Sequence, residues 1–138
     1  MEADAYLGFD LIKNAYWTLR NVKINGIQKP SYTLEVVPTA WARAQAGGFL
    51  PGAFGWNEVM AKFKNTAKYV YNRITNKPVT PQITRGIRFN LGGLRDQRIC
   101  HQQFAFFKAT WNLDEIRPDV SYAATVAAAC NPGSGILD

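Results

Sequence analysis

Two N-terminal stretches alternate apolar and polar residues. Asn14 to Lys23 is rich in aromatic and β-branched side chains, and Ser31 to Val37 alternates until Pro38 stops it. With Asn25-Gly26 as a turn between them, the pattern predicts a β-hairpin. Lys29-Pro30 still lies between the turn and the second stretch, so the connection should exceed two residues. Thr39 is positioned to cap a short helix, Ala40 to Ala46, which Gly47-Gly48 ends. Phe49 to Gly55 is then a loop.

The period next changes to that of a helix. From Gly55 to Ile74, Trp56, Val59, Met60, Phe63, Ala67, Val70, Tyr71 and Ile74 fall on one face, with Lys62, Asn65, Lys68 and Asn72 opposite. Lys77-Pro78 and Pro81 break the pattern. Ile83 to Asn90 alternates imperfectly and is a candidate third strand at a sheet edge, followed by a hinge at Gly92-Gly93. From Leu94 to Ala109, Cys100, Phe104, Phe107 and Trp111 form an inward stripe, while His101 and Lys108 share a second, more polar edge. Asn112 to Pro118 reads as a turn. Asp119 or its neighbour caps a last helix through Val126 to about Cys130, and 133–138 reads as a loose tail.

These elements predict a single α+β domain over residues 1–138, with its core within about 10–132. A small antiparallel sheet, the hairpin plus the candidate third strand, would be packed by three or four helices. No apolar run approaches the roughly 20 residues of a membrane span. The two cysteines allow one pairing, Cys100 with Cys130, but composition alone leaves reduced thiols equally open.

Charge changes the picture through its placement. From Val59 to Arg98, nine Lys and Arg face the single acid Asp96, while the whole chain carries +6. Such a field favours an anionic partner: nucleic acid, phospholipid headgroups or phosphate-bearing envelope polymers. The competing reading is a solvated basic face. Lys62, Lys68, Arg85 and Arg88 are the candidate binding residues in this segment.

Candidate chemistry centres on His101, the one histidine and the one side chain that titrates near neutrality unperturbed. It could act as general acid or base, with Lys108 holding developing negative charge and Glu58 and Arg43 converging from other elements. That set suits phosphodiester hydrolysis. The alternative is a histidine that hydrogen-bonds to the C-terminal helix. For Glu58, the competing role is to complement a helix N-terminus. Arg117, Asp114, Glu115 and Asp119 read as an ion-pair network about a proline turn, or Arg117 and Asp119 as further cleft residues beside His101. Trp41, Trp56 and Trp111 read as core anchors. One histidine with two cysteines falls short of a closed zinc site. Neither a Walker loop nor a Gly-x-Ser-x-Gly elbow occurs. No cofactor or metal is expected.

Pro38-Thr39-Ala40-Trp41-Ala42-Arg43, Gly55-Trp56-Asn57-Glu58, Cys100-His101, Lys108, Trp111-Asn112-Leu113-Asp114-Glu115, Arg117-Pro118-Asp119-Val120 and Cys130-Asn131-Pro132 occur in this order. Together they resemble a small domain of unknown function found in exported proteins, chiefly of actinobacteria. The resemblance covers roughly Ile12 to Pro132 and assigns no activity. It implies export, and hence a Cys100–Cys130 disulfide that clips the last two helices together. Met1-Glu2-Ala3-Asp4 does not form a basic leader, which fits a mature or toxin-type domain.

Three functions compete. The first is an exported effector hydrolysing a phosphate-containing target such as RNA or a lipid-linked or envelope polymer, with a cognate immunity protein as partner. The second is a non-catalytic module binding anionic envelope polymers. The third is an inhibitor or assembly protein that meets a partner chain through its aromatic surface.

Overall fold

The computed structural model describes residues 5–6, 9–45, 52–88, 90–104, 106 and 108–132. Two short strands, β1 (Ala5–Tyr6) and β2 (Phe9–Asp10), pair with each other. They lead into the hairpin of β3 (Ile12–Ile24) and β4 (Ile27–Pro38). Helices α1 (Ala40–Gln45) and α2 (Gly52–Phe63) follow, then β5 (Lys68–Asn72) and β6 (Lys77–Thr84). Helix α3 (Leu91–Phe104), β7 (Trp111–Asp114) and α4 (Tyr122–Ala127) complete the order. The main sheet runs β6-β5-β3-β4-β7 and is antiparallel except where β5 lies parallel to β3. The fold is therefore α+β, as the sequence pattern predicts.

The hairpin turn is tighter than expected. Asn25 and Gly26 alone connect the strands, at φ 51° and 80°, the left-handed pair that matches strand twist. Pro30 lies inside β4 opposite Asn21. It is tolerated because β7 covers the outer edge of β4 only from Thr33 to Val36, leaving no ladder to lose at Pro30.

The expected long helix from Gly55 to Ile74 is instead a helix and a strand. α2 ends at Phe63, and Tyr69-Val70-Tyr71 enters the sheet, where pairing with β3 outweighs an apolar period both structures can use. Asn72 then closes a turn by accepting from Ile74 N (2.9 Å) and Thr75 N (3.1 Å). The third-strand expectation was displaced in the chain: the edge strand is β6, not Ile83 to Asn90. It carries Pro78 and Pro81, which an edge tolerates.

Gly92-Gly93 lies within α3, which starts at Leu91 and ends at Phe104, well short of Ala109. Phe104 is exposed rather than on an inward stripe, because the helix stops there; Phe107 lies outside the described residues. Trp111 to Asp114 is an edge strand closed by a side chain, where the pattern placed Trp111 on a helical stripe and a turn from Asn112. The Gln97 amide donates to Asp114 O (3.0 Å) and accepts from Asp114 N (2.9 Å), mimicking one more strand. The cap of α4 is Ser121, two residues beyond the expected Asp119, and it accepts from Ala124 N. Thr39 caps α1 by accepting from Ala42 N (3.1 Å). Gly47-Gly48 and residues 133–138 lie outside the described residues.

One face of the sheet presents Ala15, Trp17, Leu34, Val36, Trp111 and Leu113 to α2 and α3, which contribute Trp56, Val59 and Leu94. Cys100 and Cys130 form a disulfide with Cα atoms 5.5 Å apart, joining α3 to the segment after α4. No helix among the described residues is long and apolar enough to cross a membrane.

Candidate functional site

His101 is 5 % exposed. Its Nδ1 lies 2.7 Å from Gln97 O, one turn back on the same helix, so Nδ1 carries the proton and donates. Burial pushes its pKa down to about 4, and the Lys108 and Arg98 cations push the same way against the Gln97 carbonyl and Asp114. The ring is neutral at physiological pH. It bonds to its own helix rather than across to α4. Lys108 is exposed beyond the end of that helix.

Glu58 lies inside α2, not in its first turn, and is fully buried. Its carboxylate accepts from the backbone N–H of Leu11 (2.9 Å) and of Ile12, pinning the start of β3 to the helix. Burial raises its pKa against those two donors. Arg43 is half-buried in the last turn of α1. No hydrogen bond or ion pair joins any two of His101, Lys108, Glu58 and Arg43 among the described residues.

A buried cation that the sequence pattern did not single out sits nearer the core. Arg98 is fully buried, packs 4.5 Å over the Trp111 ring and donates to Gln102 Oε1. Desolvation lowers its pKa to about 9, opposed by Glu58. Among the described residues its Nε and Nη2 have no hydrogen-bond partner. Gly55 makes room for it: a Cβ there would stand 1.5 Å from Arg98 Nη2. The Gly55-Trp56-Asn57-Glu58 motif thus clears space for an arginine, fills the core and anchors β3.

The opposite, open face of the sheet gathers the polar residues. The hairpin register places Tyr16 opposite Glu35, Thr18 opposite Thr33 and Arg20 opposite Ser31. Arg73 grips Glu35 through Nε (2.7 Å) and Nη2 (3.0 Å), and Thr18 donates to the same carboxylate (2.6 Å). Beside it Asp114 accepts from Arg20 (2.8 Å), Arg117 (2.6 Å) and Thr33 (2.5 Å). Burial works to raise the Asp114 pKa, but Arg20, Thr33 and Arg117 together hold it below its ordinary value. Two buried carboxylates therefore organise three arginines, of which Arg73 stays the most exposed.

A cleft of about 440 Å³ adjoins this array. Asn14, Tyr16, Phe63, Lys68, Val70 and Gln82 are among its walls. Tyr16 belongs to both, since its hydroxyl donates to Glu35 Oε1 at 3.4 Å. Burial and the Glu35 charge raise the Tyr16 pKa, so it stays a phenol.

The expected binding residues divide accordingly. Lys68 is exposed in the cleft, and Arg88 is exposed with a long contact to Asn65 Oδ1 (3.5 Å). Lys62 pairs with Asp10 (3.2 Å) and Glu58 (3.5 Å). Arg85 forms a two-pronged pair with Glu115 (2.7 and 2.8 Å) and lies over Trp17 and Tyr32. Arg117 is buried against Asp114, whereas Asp119 is exposed against Gly92. The expected ion-pair network about the turn is present: Arg117–Asp114 closes it, with Arg117 N donating to Asp114 O (3.3 Å), and Arg85–Glu115 ties it to the segment after β6. Trp56 and Trp111 are buried, and Trp41 is half-buried against the core. Among the described residues no three His, Cys, Asp or Glu side chains cluster as metal ligands.

Sequence reasoning missed Tyr16, Thr18, Arg20, Glu35 and Arg73. The signal was present: a two-residue Asn25-Gly26 turn dictates the cross-strand pairs, and these polar residues alternate with Trp17 and Leu34.

No solved structure matches the chain. The uncharacterised protein Rv0477 of Mycobacterium tuberculosis and the uncharacterised protein Mb0487 of Mycobacterium bovis are each 46 % identical to it over 46 residues. That match spans 30 % of this chain and 31 % of each relative, so the chain covers under a third of their length. The family model "Protein of unknown function (DUF2599)" matches residues 12–133, and the chain belongs to that family.

Proposed function

We propose that this domain is a non-catalytic module that binds a phosphate-bearing, anionic polymer of the cell envelope along the β5–β6 edge of its sheet. One contrast carries the reading: the lone imidazole is buried and neutral, while Lys64, Lys68, Lys77 and Arg88 are exposed on and around that edge. A general acid or base must reach a reacting proton in its working protonation state, and His101 does neither. Long-range attraction needs only exposed like charges. The disulfide supports placing the domain in an oxidising compartment outside the cytosol.

The test is binding to a poly(hexosyl phosphate), a polymer of phosphodiester-linked sugars, with the polymer's chain length followed in parallel. The reading expects affinity to fall steeply between about 50 and 200 mM salt as released counterions are replaced. It expects no shortening of the polymer. Cleavage that disappears in His101→Gln would restore the effector-hydrolase alternative, and salt-independent binding would exclude a polyelectrolyte partner.

A further inference from the structure

We infer that the cleft beside Tyr16 seats one phosphorylated, sugar-sized unit of that polymer, with the Lys68 ammonium on its phosphate. This deepens the binding reading and rests on it. The polar groups facing the cleft are mostly donors. Asn14 Oδ1 already accepts from Ala15 N (2.9 Å), so its NH₂ group is left to donate. The Gln82 amide and Lys68 Nζ add donors and one amide oxygen, and no described ion pair holds Lys68. Thr66 has turned its hydroxyl proton to Lys62 O (3.0 Å). The Tyr16 proton is directed at Glu35, so its oxygen accepts.

Among the described residues no carboxylate lines the cleft, and Ala15, Phe63 and Val70 give it apolar walls. An excess of donors with one cation suits a ligand rich in acceptors and carrying negative charge. The apolar wall suits the C–H face of a sugar ring, and a volume of about 440 Å³ lies in the range of small-molecule sites, about 300–1,000 Å³. Phe63 and Tyr16 give the cleft two aromatic side chains, against which the C–H face of a sugar packs as a nucleobase would, so a nucleotide is one arm of the test. Arg73 reinforces the arrangement from behind: by holding Glu35 it fixes the acceptor towards which Tyr16 points.

The experiment is an NMR titration of the full chain with glucose 6-phosphate, glucose, inorganic phosphate and uridine 5′-monophosphate as separate probes. Glucose 6-phosphate should shift the signals of Asn14, Tyr16, Lys68 and Gln82, with a Kd of about millimolar. Lys68→Gln should weaken it about fivefold, whereas Lys29→Gln, exposed on β4 and outside the cleft, should leave it unchanged. Equal shifts from inorganic phosphate alone, tighter binding of the nucleotide, or no shift at the four residues would each overturn the inference. If the polymer binds and these residues do not respond, the inference fails and the binding reading survives. If glucose 6-phosphate fills the cleft but the polymer does not bind, the binding reading fails instead.

Discussion

Both faces of the five-stranded sheet bury charge, and they bury it to different ends. Beneath the helices, Arg98 stacks on Trp111 with two nitrogens unpartnered among the described residues, and Glu58 spends its carboxylate on two backbone donors. On the open face, Glu35 and Asp114 are as deeply buried, yet two of their arginine partners, Arg20 and Arg73, extend to the surface while Arg117 stays buried, and Arg73 keeps 45 % of its side chain exposed. A buried carboxylate that fixes an exposed cation builds a rigid recognition surface, because the cation's rotamers are restricted before any ligand arrives. Residue type alone would rank His101 and Glu58 above Glu35; placement reverses that order.

The sharpest way to break this comparison is Asp114→Ala. It leaves Arg117 buried and unpaired and removes the partner of Arg20, so a loss of about 3–5 kcal/mol in urea unfolding is expected. Lys62→Ala, which removes the partner of an exposed Asp10 and leaves Glu58 its two backbone donors, should cost under about 1 kcal/mol. Equal effects would erase the distinction between buried and surface pairs.

His101 supplies the next test. Its folded pKa of about 4 lies below the ordinary value of 6.5, so between these values the unfolded chain binds the proton first. The stabilisation is complete above about pH 6.5 and is lost as pH falls towards 4, by on the order of 3 kcal/mol. The fall in urea midpoint across that window should disappear in His101→Gln. A ring that titrates near 6.5 in the folded protein would make the histidine accessible after all.

Gly55→Ala should have a smaller effect, about 1–3 kcal/mol, because the new Cβ must displace the Arg98 guanidinium. In an Arg98→Leu background the same change should be nearly neutral; additivity of the two would show that they do not touch.

How much was legible depended on whether local signals met competition. The hairpin and the Thr39 cap were readable because Asn-Gly and Thr each admit few alternatives, whereas the Cys100–Cys130 disulfide followed only from the family resemblance and the export it implies, composition leaving reduced thiols open. β5 was hidden because Ala67, Val70 and Tyr71 satisfy helical spacing as well as a strand, and only the presence of β3 decides between them. β7 is four residues long and depends on Gln97 from another element, a contact without local signature. For the site, Lys68 was found from charge density. Tyr16, Glu35 and Arg73 come from three strands and required the register, which an overlong turn had obscured.

The most direct measurement compares the affinity for one poly(hexosyl phosphate) preparation of the unmodified protein, His101→Gln, and a triple variant carrying Lys64→Gln, Lys68→Gln and Arg88→Gln. The account predicts that His101→Gln binds like the unmodified protein, while the triple variant loses at least about tenfold and shows a shallower salt dependence. An unchanged triple variant, or loss of binding in His101→Gln with the fold intact, would contradict it.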